Sequence, residues 1–136
     1  MILDTSVLIA GERRRIDLEG FWETVGNEPV GISAITASEL LHGCHRAVDL
    51  DIQARRFAFV EALLAAIPIL EFGLAEARRH ADVWTRLARE GIVVGAHHLI
   101  IGTTALARGY ALATLNGSDF KRVPGLRLIP VEAFLT

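Results

Sequence analysis

Short apolar runs alternate with longer stretches of helical period along this chain. Met1–Leu3 reads as a strand that stops at Asp4, Thr5–Ala10 as the start of a helix, and Gly11 to Arg15 as a charged loop. Ile16–Val25 is amphipathic and helical, and Val30–Ile32 is a second short strand. Ser33 or Thr36 can cap a helix that runs to about Arg46. Val60, Leu63, Leu64 and Ile67 recur at i, i+3, i+4 and i+7, one apolar helix face ended by Pro68. Ile69–Phe72 reads as a strand. Leu74–Glu90 is the clearest long helix, with Ala77, Ala81, Trp84 and Ala88 as its apolar stripe and Gly91 as its stop. Ile92–Val94 is a short extended segment, His98–Arg108 a helix stopped by Gly109, and Ala111–Leu115 a buried strand. Leu126–Val131 is the last strand, with a final helical turn over Val131–Leu135.

Strands separated by helices define an α/β domain over residues 1–136, with a mainly parallel central sheet flanked by helices. In such a sheet the carboxyl ends of strands and the first turns of the following helices share one edge, where ligands bind. Asp4 ends a strand, Glu39 lies early in the helix after a strand, and His98 opens a helix. Asn116 and Asp119 follow the carboxyl end of Ala111–Leu115. The predicted topology brings these distant residues to one cleft.

An acid closing an apolar strand, as in Ile2-Leu3-Asp4-Thr5-Ser6, is costly unless something pairs with it. Glu39 sits among apolar neighbours in the same way. A hard divalent cation relieves repulsion among converging carboxylates, and Mg²⁺ needs only a few of them because it keeps several waters. Such an ion activates water and neutralises charge on a phosphodiester. Each acid also has a plainer reading: Asp4 as the cap of the next helix, Glu39 as a solvated helix residue, Asp119 as a turn residue. Thr5, Ser6 and Thr114 place hydroxyls beside the acids, where they can hold carboxylates or metal-bound water, or else serve as helix caps.

Composition narrows the classes. The 51% hydrophobic content supports a core without disulfides, and the single cysteine, Cys44, points to a reducing cytosol and a cytoplasmic protein. No apolar window is long enough for a membrane span, and the N-terminus carries no signal-peptide pattern. The net charge of −2 excludes nucleic-acid binding through bulk charge, so any RNA contact needs a local patch. Arg13, Arg14 and Arg15 are the candidate, with a solvated loop or a contact to an acidic partner as rivals. His42-Gly43-Cys44-His45 lacks a second ligand pair at zinc spacing. Phe21, Trp22 and Trp84 read as packing rather than base-stacking residues. A mean hydropathy of +0.38 suggests a homodimer that buries apolar helix faces.

Ile2-Leu3-Asp4-Thr5-Ser6-Val7-Leu8-Ile9 resembles the opening motif of PIN-domain ribonuclease toxins of the VapC type. Ile35-Thr36-Ala37-Ser38-Glu39-Leu40-Leu41-His42-Gly43 resembles their second motif. Gly95-Ala96-His97-His98-Leu99-Ile100-Ile101-Gly102 resembles the third, and Ala113-Thr114-Leu115-Asn116-Gly117-Ser118-Asp119-Phe120 the fourth. The resemblance spans nearly the whole chain in the expected order. It implies a metal-dependent endoribonuclease of a toxin–antitoxin pair, a dimer, inhibited by a small VapB-type antitoxin. An anionic site attracts a cation, so the antitoxin's C-terminal segment is expected to lie in the cleft with a basic side chain against the acids. The resemblance assigns Asp4, Glu39 and Asp119 to catalysis, Asp4, His98 and Asp119 to Mg²⁺ or Mn²⁺, and supporting roles to Thr5, Ser6, Thr114 and Asn116.

One departure stands out. His98 occupies the place where the third motif has a metal-binding aspartate, and imidazole offers one nitrogen and no negative charge. Mn²⁺ tolerates that ligand better than Mg²⁺ does. The expectation is a normally folded chain with impaired cleavage; the alternative is an inactive PIN fold that binds antitoxin or RNA. Asn116 competes with Asp119 for the fourth site position. A haloacid-dehalogenase-like phosphatase needs a second aspartate two residues after the first, and Ser6 stands there.

Overall fold

Ile2 and Leu3 are both fully buried, yet they belong to different clusters, because successive strand residues point to opposite faces of a sheet. Leu112 and Ala113 repeat the pattern: Leu112 packs with Ile2, Ala113 with Leu3. Both faces of the central sheet are therefore covered, which is why these strands read as apolar runs rather than alternating ones.

The computed structural model describes residues 1–136. Its elements are β1 (Ile2–Leu3), α1 (Thr5–Glu12), α2 (Leu18–Val25), β2 (Ile32–Ser33), α3 (Ala34–Arg46), α4 (Leu50–Ala66) and β3 (Ile69–Leu70). They continue as α5 (Leu74–Arg89), α6 (Ala96–Arg108), β4 (Leu112–Thr114), α7 (Gly117–Phe120), β5 (Leu128–Pro130) and a 3₁₀ turn over Glu132–Phe134. All strand pairs are parallel: β1 with β4, β4 with β5, β2 with β3. Gly31 joins the two parts, accepting from Leu3 N–H and donating to Met1 C=O, each at 3.0 Å. The strand order is thus β3–β2–β1–β4–β5. The chain runs outward from β1 to β3 and returns to pair β4 on the other side of β1. That reversal makes the carboxyl ends of β1 and β4 a topological switch point, where a crevice opens.

The larger cluster joins Leu3, Val7, Leu8, Phe21, Ile32, Leu40, Val60 and Val131; a smaller one seats Ile101, Ala105 and Phe120 of α6 and α7 on the opposite face. Ser33 caps α3 by accepting from Ile35 N–H at 3.2 Å. Gly109 ends α6 with φ +70°, a left-handed conformation that glycine adopts without steric cost.

Three local expectations are corrected. α1 continues through Gly11 to Glu12. Ile16 lies outside α2 and forms a bridge with Leu135. In α5 the inward side is Glu76, Val83 and Leu87, while Ala81, Trp84 and Ala88 are exposed. Glu76 turns inward because its carboxylate accepts from Gly73 N–H at 3.1 Å and pairs with Arg108 of α6 at 2.9 Å. Buried acids are tolerated when so satisfied.

Candidate active site

Asp4 follows β1 and is only 1% exposed. Its Oδ2 accepts from Ser6 Oγ at 2.6 Å and from Thr114 Oγ1, at the end of β4, at 2.8 Å. Each hydroxyl is itself oriented: Leu115 N–H donates to Ser6 and Asn116 N–H to Thr114. Both hydroxyls therefore turn their protons toward the carboxylate. Asp4 Oδ1 is buried and has no hydrogen-bond partner at all. Asp4 does not cap α1 through its side chain.

Thr5, the next residue, reaches the other way. Its Oγ1 lies 3.0 Å from Glu39 Oε1 and 3.1 Å from Thr36 Oγ1. A hydroxyl has one proton, so Thr5 donates to the carboxylate and accepts from Thr36. Glu39 Oε2 faces His97 Nδ1 at 3.7 Å. His98, beside it in the first turn of α6, directs its Nδ1 to Asp119 Oδ2 of α7 in a very short contact, and its ring packs on Phe120 at 4.8 Å. Asp119 also accepts from Gly95 N–H at 3.4 Å.

The contacts close on themselves. Asp4 leads through Thr5 to Glu39, then to His97 and His98, to Asp119, by its N–H to Asn116 C=O, and through Thr114 back to Asp4. The sequence-predicted residues lie around a ring rather than about a point. No three Asp, Glu, His or Cys side chains come close enough together to hold one ion between them. The donors fit an ion only in part: Asp4 Oδ1 offers a free buried oxygen, while Asp119 is already engaged by His98.

Asn116 is exposed, and it supports the ring through its backbone; its side chain makes no hydrogen bond. Arg13 lines a groove between α1, α3 and α4 that also includes Glu39. Arg14 and Arg15 instead hold the C-terminus, their carbonyls accepting from Thr136 Oγ1 and N–H at 2.9 Å each. His97 was not foreseen, although its place beside His98 in the third motif was a signal. In the His42–His45 stretch, Cys44 is buried in the core, burial pushing its thiol pKa up, and His45 packs edge-on against Phe57.

A sheet with a switch-point crevice lined by buried and half-buried acids is the setting of a PIN domain, and residues 1–126 match the PIN domain family. The chain belongs to that family. Within it, the chain is of the VapC type. It is 35% identical to a protein named ribonuclease VapC1 from Rickettsia felis, over 98% of this chain and 97% of that one. It is 31% identical to a tRNA(fMet)-specific endonuclease VapC from Salmonella typhimurium, over 71% of each chain. The fold superposes on a solved DNA-bound VapBC from Salmonella typhimurium with a TM-score of 0.86, at 26% identity, covering 95% of this chain and 96% of that one.

Proposed function

We propose that this chain is an endoribonuclease toxin paired with a VapB-type antitoxin, cutting RNA at the Asp4–Glu39 side of the ring with Mg²⁺ or Mn²⁺, and weakened by His98. The observation that carries the reading is Asp4 Oδ1. An unpartnered buried carboxylate oxygen costs free energy that a cation seated on it would recover. Ser6 and Thr114 hold Oδ2 and so aim Oδ1, while Thr5 orients Glu39 as the base for an attacking water. A bound divalent ion would supply charge neutralisation at the phosphodiester. His98 would ligate through Nε2 while its Nδ1 stays on Asp119 Oδ2, and Asp119 through its other oxygen.

RNA is the expected substrate, transfer RNA the first to test given the relatives' names, and Arg13 the arginine best placed to meet phosphate. The antitoxin's C-terminal segment would lie in the groove containing Glu39, a basic side chain against the acid. No helix is long and apolar enough to cross a membrane.

The test is cleavage of transfer RNA with Mg²⁺ or Mn²⁺ by this chain, by Asp4→Asn and by His98→Asp. Metal-dependent cutting that Asp4→Asn abolishes and His98→Asp increases supports the reading. Cutting indifferent to Asp4 overturns it. The His98–Asp119 contact also favours a second reading, a PIN fold that binds RNA or antitoxin and cuts nothing; it predicts RNA retention with intact chains.

A further inference from the structure

Charge is divided unevenly along the chain. Residues 74–127 carry eight Arg and Lys against four Asp and Glu, a net charge of +4, while the remaining residues carry six against twelve, a net charge of −6. The small total thus hides a basic part and an acidic one, an asymmetry suited to a polyanionic partner. The basic segment runs from α5 through α6, β4 and α7 to the residue before β5. Three of its four acids are paired inside it: Glu76 with Arg108, Glu90 with Arg86 and Asp119 with His98. Arg89, Lys121 and Arg122 are exposed, and no ion pair neutralises them.

These three cations border the ring of site residues. Lys121 and Arg122 follow Asp119 by two and three positions, so their Cα atoms lie within about 8 Å and about 11 Å of its own. Arg122 Nη1 donates to Val93 C=O at 2.8 Å, which holds the guanidinium at the turn between α5 and α6 and leaves its other N–H groups free. Arg89 is the last residue of α5, at the entry to that turn. The turn reaches the ring itself, for its Gly95 N–H donates to Asp119 Oδ2 at 3.4 Å. We propose that Arg89, Lys121 and Arg122 form the surface that binds the RNA backbone as it leaves the site, so that the strand crosses α7 to the α5–α6 turn. Guanidinium and ammonium groups take phosphate oxygens and carry no base information, so the surface holds every sequence alike. The proposal rests on RNA being the substrate, as above; it is independent of the ion at Asp4 and of the role of His98.

The experiment measures binding of a fluorescently labelled single-stranded oligoribonucleotide to the full chain by anisotropy, in EDTA so that no metal-dependent cutting occurs, over a series of NaCl concentrations. Each phosphate contact contributes about 0.7 to the slope of log affinity against log salt. Arg89→Gln, Lys121→Gln and Arg122→Gln together should lower that slope by about 2, and should weaken two oligonucleotides of unrelated sequence equally. Arg89→Gln with Lys121→Gln removes two side chains that bond to nothing in the fold. It reads the same surface with the Arg122–Val93 bond intact, and should lower the slope by about 1.4. Arg46→Gln with Arg55→Gln removes the same charge from exposed residues of α3 and α4 and should leave the slope unchanged. A slope that does not fall in Arg89→Gln with Lys121→Gln overturns the proposal and leaves the RNA reading standing. Equal falls in the two double variants show bulk charge in place of a surface and overturn it too. A parent chain that binds no RNA even at low salt overturns the RNA reading together with the proposal.

Discussion

His98 Nδ1 meets Asp119 Oδ2 across 21 positions of sequence, and that contact closes the side of the ring where the third motif's acid is expected. An imidazole and a carboxylate hold each other here; two carboxylates would repel. His98→Asp should therefore melt below the parent chain without metal and recover with it. It should also bind Mn²⁺ at least about tenfold more tightly, since the change restores an oxygen ligand and frees Asp119. Thermal melting with and without Mn²⁺, beside calorimetric titration, measures both. Equal affinity in the two proteins would show that residue 98 is not at a ligand position.

Asp4→Asn isolates the charge from the packing. The amide oxygen can accept from Ser6 and Thr114 in place of Oδ2, and the amide nitrogen takes the place of the unpartnered Oδ1. The fold should survive with melting unchanged or raised, because a buried charge is removed while both hydroxyls keep an acceptor. Asp4→Ala should instead cost about 2–4 kcal/mol, leaving both hydroxyls without their acceptor and a void beside them. In both variants the Mn²⁺-induced rise in melting temperature should vanish. A rise that persists in Asp4→Asn would place the ion elsewhere.

The placement of Asp4 was legible because an acid there breaks an apolar run at a strand end, and that of Glu39 and Asp119 because the parallel topology brings the helices that follow β2 and β4 to the same edge. Ring closure was not legible. That His98 would turn to Asp119, and His97 to Glu39, depends on side-chain directions that no spacing encodes. The α5 stripe failed for a different reason. That helix carries two apolar faces, and Glu76 sits on the inward one only because Arg108, 32 positions on, neutralises it. Periodicity cannot choose between two apolar faces when the deciding contact is an ion pair with another helix. The four-residue α7, which presents Asp119, is too short for any periodic signal.

Glu76 links stability to acidity. The hydrogen bond from its own backbone N–H holds its carboxyl below the usual range, with Arg108's charge and Gly73 N–H adding to this and burial opposing it. A carboxyl depressed in the folded state binds its proton more readily in the unfolded chain. Its stabilising contribution is complete above the unfolded value of about 4.3 and is lost as pH falls through the lower folded one. Glu76→Gln keeps an acceptor for Gly73 and loses the charge. Melting of the parent should fall more steeply than that of Glu76→Gln between about pH 5 and about pH 3. Parallel melting curves across that range would remove Glu76 from the acid response.

The exposed face of α5 bears on the proposed dimer. Trp84 is 61% exposed and Val93, after the helix, 76%; with Ala88, Ile92 and Ile100 they line one apolar groove. Leaving a tryptophan in water forfeits a large apolar burial, and a tryptophan flanked by alanines lets a second helix approach closely. If two copies meet here, the interface is isologous and Trp84 lies near its centre. Trp84→Glu would then place like charges near one another across the two-fold axis and remove the aromatic anchor. The expected loss is about 2 kcal/mol or more, roughly thirtyfold in dimer Kd. Because Trp84 is already exposed in the single chain, monomer melting should hardly move. Light scattering over a concentration series distinguishes the outcomes. A parent chain that stays monomeric at high micromolar concentration rejects the dimer, and a Trp84→Glu chain that dimerises as well as the parent moves the interface to another face.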